Sequence, residues 1–189
     1  MDLMGAGGWG VRLNLAKHGR TIGVACGYSS GEAIGLRRFS GPVLRVGIGD
    51  KGHRKTGAVF PGVEFLEGDE PSSDVDIVGE GVGYRPSPAA YQVTCPSLAV
   101  LKDDVLCGMM WNAPQWWQRE AQALPAAEFA SPNFLDGQPN HRIACFVPDA
   151  PWRSPNQPVA AKPYELEARK SVALSCDVFV IPGDRKSVV

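Results

Sequence analysis

From residue 171 to residue 180 the chain alternates with a period of two. Val172, Leu174, Cys176, Val178 and Val180 fall on one side, and Ser171, Ala173, Ser175, Asp177 and Phe179 on the other. Successive side chains of a strand point to opposite faces of a sheet, so this is the pattern of a strand with one buried face. Shorter runs of the same kind recur at 11–15, 21–27, 43–47, 59–65, 75–78, 91–95 and 142–147. Residues 98–102 and 105–111 flank Asp103 and Asp104, a two-residue acidic turn that reads as the closure of a hairpin. Punctuation by 22 glycines and 16 prolines keeps the runs short. A doubly wound α/β chain would interpose helical stretches of about 10 to 15 residues between strands. The expectation is therefore an all-β protein: an antiparallel β-sandwich or supersandwich with long loops and at most one or two short helices. The one helical candidate is 115–124, where Trp116, Trp117, Glu120 and Leu124 have roughly helical spacing before Pro125 stops the turn.

Charge narrows the function classes. Nineteen Lys and Arg stand against 20 Asp and Glu, a net of −1, which is not the basic footprint of a nucleic-acid or polybasic membrane binder. The apolar runs are broken every few positions, far short of the roughly 20 residues of a membrane helix. A hydrophobic content of 44% suffices for a sizeable core. Residues 1–183 are expected to form a single β-sandwich domain belonging to a larger protein. Residues 184–189, Asp-Arg-Lys-Ser-Val-Val, match the translation of a sequencing-adapter oligonucleotide and are set aside as a non-native read-through tail. The first residues, Met1-Asp2-Leu3-Met4, lack the basic and apolar regions of a secretory signal.

No motif for chemistry is strong. Cys26, Cys95, Cys107, Cys145 and Cys176 show neither C-x-x-C nor zinc-like spacing. They read as small hydrophobes in strands, with Cys95, Cys107, Cys145 and Cys176 expected to point inward. No metal and no cofactor is expected. Gly5-Ala-Gly-Gly-Trp-Gly10 fits G-x-G-x-x-G, and a nucleotide-binding protein or enzyme using that loop is the rival reading. The motif works only between a strand and a helix amino end, and with only four residues before Gly5 that strand is expected to be missing. Glu64, Glu67, Asp69, Glu70, Asp74 and Asp76 form an acidic segment that could supply paired carboxylates, yet Glu67-Gly-Asp-Glu-Pro reads first as a solvated turn. His18, His53 and His141 are scattered, and no nucleophile elbow accompanies them.

The tryptophans say more. Trp111, Trp116 and Trp117 fall within seven residues, beside Asn112 and Gln115. Indole faces stack on sugar C–H faces while neighbouring amides bind hydroxyls, so this loop is a candidate saccharide platform. Its residues are Trp116, Trp117, Gln115 and Asn112, with Asn140 and His141 from a loop expected to face it. The competing explanation is a loop packed over the sandwich end by its own aromatics.

Several longer stretches carry a resemblance. Pro61-Gly-Val-Glu-Phe-Leu-Glu67, Pro71-Ser-Ser73, Arg85-Pro-Ser-Pro88, the run from Tyr91 to Val100, Ser131-Pro-Asn-Phe-Leu-Asp-Gly-Gln-Pro-Asn-His141, Phe146-Val-Pro148 and Pro163-Tyr-Glu-Leu166 resemble the β-sandwich region of large bacterial glycoside-hydrolase-like proteins. The resemblance covers roughly residues 59–183 and implies a galactose-mutarotase-like supersandwich preceding an (α/α) toroid that this chain does not contain. It implies a carbohydrate setting, with a saccharide and the toroid domain as partners and an extracellular or periplasmic place for the parent protein. The matching motifs are loop and strand signatures, so no acid or base is carried over. The functional expectation is a non-catalytic carbohydrate-associated domain that shapes one wall of a saccharide-binding cleft.

Overall fold

The structure is a computed structural model that describes residues 2–4, 8–48, 52, 54–60, 64–72, 93, 95–111, 126–133, 136–147 and 163–183. Every regular element among them is a strand. In chain order these are β1 (Asp2–Met4), β2 (Gly10–His18), β3 (Thr21–Ser29), β4 (Ile34–Leu36), β5 (Phe39–Val46), β6 (Gly57–Phe60), β7 (Glu64–Glu67), β8 (Ser97–Lys102), β9 (Val105–Met110), β10 (Ala126–Ala130), β11 (His141–Val147), β12 (Tyr164–Leu166) and β13 (Ser171–Pro182). An eight-stranded sheet has the order β1-β2-β3-β13-β9-β8-β6-β7, a three-stranded sheet the order β10-β11-β5, and β12 pairs with β4. All pairs are antiparallel. The protein is an all-β sandwich.

The alternation read in the sequence sets the two faces. Val172, Leu174 and Cys176 of β13 are buried, as are Val24 and Cys26 of β3. They pack with Phe129, Ile143 and Cys145 of the small sheet in one core. Cys145 Sγ lies 3.1 Å from Met109 Sδ, so soft sulfur groups join the two sheets at their centre. Packing is close enough that a Cβ on Gly41 of β5 would stand 2.6 Å from Leu174 Cδ1. Leu36 and Leu166 of the two-stranded sheet join the same core.

The turn at Asp103-Asp104 closes β8 onto β9, with Lys102 opposite Val105. Both aspartates are left-handed, at φ 49° and 59°, as a type I′ hairpin requires. One expected strand, 59–65, divides into β6 and β7, which pair antiparallel with Phe60 opposite Glu64. Strands expected at 75–78 and for most of 91–95 lie outside the described residues, as does the helical candidate 115–124; Val93 and Cys95 are described and are not in a strand.

A strand does precede the glycine motif, as β1, where the sequence reading expected none. Gly5 to Gly7 lie outside the described residues, but β1 and β2 pair antiparallel around them, with Met4 opposite Gly10. The glycines lead into a nine-residue strand. Among the described residues no helix amino end stands there to meet a pyrophosphate.

The cysteine expectation also needs amending. Cys145 and Cys176 are buried, but Cys95 is exposed and Cys107 only half-buried. Cys95 precedes β8 and so is not held by its alternation. Cys107 does pack against the core, opposite Val180, which is 63% exposed.

The outer face of the small sheet carries a charge network. Arg38 Nη2 and Arg142 Nε each donate to Glu128 at 2.7 Å, and Glu128 is only 2% exposed. Arg142 and Arg45 both reach Asp136 at 3.1 Å, and Arg38 lies 4.2 Å above the Phe146 ring. Two charge-assisted bonds satisfy the buried carboxylate, which makes its burial tolerable.

Candidate functional site

The outer face of the large sheet is built from the other half of the alternation. Where the inner face of β2, β3 and β13 carries Leu, Val and Cys, the outer face carries Ala, Gly, Ser and Asn. Three rows cross it in register: Ala16, Gly23 and Asp177; Asn14, Ala25 and Ser175; Arg12, Gly27 and Ala173. Small side chains leave space above the sheet. One hollow of about 500 Å³ is lined by Asn14, His18, Ser97, Ser175, Asp177 and Trp111 among others. A second of about 420 Å³ adjoins it and shares Asn14 and Ala25. Both volumes fall in the range of small-molecule sites, about 300 to 1,000 Å³. At the far end of the same face the hollow gives way to a small apolar cluster of Ala99, Leu101 and Leu106 with Phe179 and Ile181.

His18 gives the first hollow its chemistry. Its ring crosses β3 to reach β13, where Nδ1 lies 2.9 Å from Asp177 Oδ1. Glycine at position 23 makes the crossing possible, since a Cβ there would stand 2.4 Å from the imidazole Cε1. Thr21 Oγ1 lies 3.2 Å from the same carboxylate oxygen and 3.0 Å from the His18 carbonyl, two acceptors that share its one proton. The carboxylate can only accept, so the Nδ1 proton points to it, and in the neutral ring Nε2 is the acceptor. Such an imidazole can bind a hydroxyl or exchange a proton with it. Trp111 also borders the hollow while packing into the core between the sheets. It is 6% exposed, and its indole N–H finds no acceptor among the described residues.

Of the residues expected from sequence, Asn112, Gln115, Trp116 and Trp117 lie outside the described residues. Asn140 is half-buried, and its Oδ1 accepts from Asn133 Nδ2 at 2.8 Å. His141 is fully buried, with Nδ1 2.8 Å from Ser131 Oγ. It shares the inward face of β11 with Ile143 and Cys145, so the large sheet stands between His141 and the hollows. The loop from Ser131 to His141 is closed on itself: Ser131 exchanges backbone and hydroxyl bonds with Ser72, and Asn133, 1% exposed, bonds both Asp136 and Asn140. The acidic turn is likewise internal. Asp69 accepts from the Lys55 backbone at 2.9 Å, and the Lys55 ammonium donates to the Glu70 carbonyl. Burial pushes the Lys55 amine below its ordinary value, against the pull of Asp69 and Glu70.

Sequence reasoning passed over His18, Asp177, Asn14 and Ser175. Three of them were visible as the odd members of alternating runs, but nothing marked which of the outward residues meet.

Among the described residues no group of three or more His, Cys, Asp or Glu is placed to hold a metal ion. No family model and no curated protein matches the chain. Solved structures do. An α-N-acetylgalactosaminidase, NagBb of Bifidobacterium bifidum, in complex with GalNAc, aligns over 94% of this chain at 9% identity with a TM-score of 0.46. Its quadruple mutant aligns over the same share at 12% identity and TM-score 0.46. A protein of Escherichia coli K12 described as a putative aldose 1-epimerase aligns over 95% of this chain at 11% identity and TM-score 0.39. The chain spans 28% of the length of the first of these and 62% of the last. By their names, these neighbours are carbohydrate-active enzymes.

Proposed function

We propose that this chain is a carbohydrate-associated β-sandwich domain, itself non-catalytic, whose outer large-sheet face forms one wall of a saccharide-binding cleft in a glycoside-hydrolase-like protein. The observation that carries the reading is the first hollow. Uncharged or pairwise-balanced polar groups at Asn14, Ser97, Ser175 and the His18–Asp177 pair line a small-residue floor, with the alanines and Met110 as apolar contacts. Sugars need that combination: hydrogen bonds for hydroxyls, apolar contact for C–H faces. The candidate platform is joined to it covalently. Asn112 follows Trp111 directly, and Gln115, Trp116 and Trp117 lie within six residues of it, a reach of at most about 20 Å. In this reading Trp116 and Trp117 supply stacking faces and Asn112 and Gln115 supply amides, while Asn140 and His141 serve by holding the 131–141 loop.

Calorimetric titration of the chain with mono- and oligosaccharides, in parallel with Trp116→Ala, Trp117→Ala and Asn14→Ala, tests it. Binding that weakens at least tenfold in the tryptophan and Asn14 variants, at unchanged melting temperature, is the expected outcome. Variants that unfold without altering affinity in the folded fraction would make the tryptophans core residues, because a structural Trp truncated to Ala costs about 3 to 5 kcal/mol. A second reading rests on the His18 geometry: a base oriented by Asp177 could move a proton on a bound sugar. It requires that His18→Asn keep binding and abolish turnover.

A further inference from the structure

The two hollows on the outer face adjoin, and their arrangement speaks to ligand length. They share Asn14 and Ala25, and their common floor is the outward side of β3, where Gly23, Ala25 and Gly27 succeed one another at every second position. The row at Ala16, Gly23 and Asp177 stands six residues along the strands from the row at Gly10, Ser29 and Ser171, about 20 Å at strand rise. Hydrogen-bonding groups are spread along that length: His18 and Asp177 at one end, Asn14 and Ser175 at the middle, Ser29 and Ser171 at the other. At the first end the lining includes Trp111, which packs into the core between the sheets and is 6% exposed.

We propose that the two hollows act as one groove that holds a linear oligosaccharide along β3, at least three sugar units long, with the Trp111 end and the Ser171 end engaged together. The inference rests on the saccharide reading above and narrows it from a sugar to a chain of sugars. A single pyranose fills one hollow and leaves the other wet, so affinity grows with chain length until both are filled.

Gly27 offers the test. Its backbone is not left-handed, and a Cβ there would meet Arg12 Cβ and the Val172 carbonyl only at 4.0 Å. Gly27→Phe therefore places a ring in the second hollow without backbone strain and leaves the first untouched. Ala173→Phe, directly across from Gly27 on β13, does the same from the neighbouring strand and keeps the test alive if one variant fails to fold. The chain and both variants would be titrated with gluco-, xylo-, galacto- and chito-oligosaccharides of one to six units, with folding checked by circular dichroism. For the parent chain, the expected result is at least tenfold tighter binding of a trimer than of the monosaccharide within one series. In either folded variant the trimer should fall to the affinity of the shorter sugar, whose own binding stays within twofold. Equal affinity for monomer and trimer would overturn the groove while leaving the saccharide reading intact. A length dependence that survives both variants would overturn it as well. No binding at any length would remove both readings together.

Discussion

The outward sides of the two sheets both carry polar groups and differ in what those groups face. On the small sheet, Arg38, Glu128, Arg142, Asp136 and Arg45 bond one another, and Glu128 is 2% exposed. On the large sheet, Asn14 and Ser175 are exposed above a floor of glycine and alanine, and the His18–Asp177 pair is open to solvent on its far side. A closed network serves the fold, because every charge it buries is already answered. An open one beside a hollow has its remaining hydrogen bonds to offer to something else. The contrast arises from side-chain size: long Arg and Glu side chains reach across rows to each other, whereas Ser, Asn and Gly leave space.

Breaking the closed face should have the largest effect. Glu128→Ala leaves Arg38 and Arg142, with side chains only 16% and 14% exposed, without their carboxylate. A loss of about 3 to 5 kcal/mol is expected, as for other broken buried pairs. Chemical denaturation measures it, and a change below about 1 kcal/mol would show the network to be ornamental. The open face should behave in the opposite way. Asp177→Asn and Ser175→Ala should each shift stability by less than about 1 kcal/mol, since exposed polar groups contribute little, while weakening saccharide binding. Gly23→Val sharpens the comparison, because it expels the His18 ring from its place over β3 and so separates the pair without removing either member.

Acid provides a second handle on the closed face. The Asn133 amide, followed by Arg45 and Arg142, holds the Asp136 carboxyl below its ordinary value of 3.8. The folded chain thus binds this proton less readily than the unfolded one. Stability from this group is fully present above about pH 4 and drains away as pH falls through the lower folded value. Asp136→Asn should flatten that part of the pH–stability curve, and a curve of unchanged slope would assign the acid sensitivity elsewhere. The smallest effect is expected in the β8–β9 turn. Asp103→Asn with Asp104→Gly relieves two left-handed aspartates and should raise stability by up to about 1 kcal/mol, readable as a higher melting temperature.

Much of the sandwich was legible because its strands are short β-rich runs, with β13 alternating over its first six residues. β13, β2, β3 and β11 announce themselves, and Asp103-Asp104 marks a hairpin whose register follows directly. β4, β10 and β12 did not. Ala126–Ala130 is alanine-rich, with little strand preference of its own, and becomes a strand by pairing along its whole length with β11. The three-residue strands Ile34–Leu36 and Tyr164–Leu166 depend on each other across more than a hundred residues, so neither carries a local pattern. The tryptophan cluster was conspicuous in sequence because aromatics are. The hollows were not, since Ala, Gly and Ser in separate strands signal nothing until register sets them in rows. His18 and Asp177 are 159 residues apart and become neighbours only because Gly23 between them has no side chain. His141 misled in the other direction: its place beside Asn140 in a polar loop suggested a surface, but strand parity turns it into the core.

The most direct test of the contrast between the two faces is a backbone amide chemical-shift map of the labelled chain titrated with a saccharide that it binds. Perturbations concentrated at 12–18, 23–27 and 171–177, with residues 38, 45, 128 and 142 unmoved, are the expected result. Shifts centred on the small sheet, or spread evenly over both faces, would contradict the assignment of the large sheet's outer face as the binding surface.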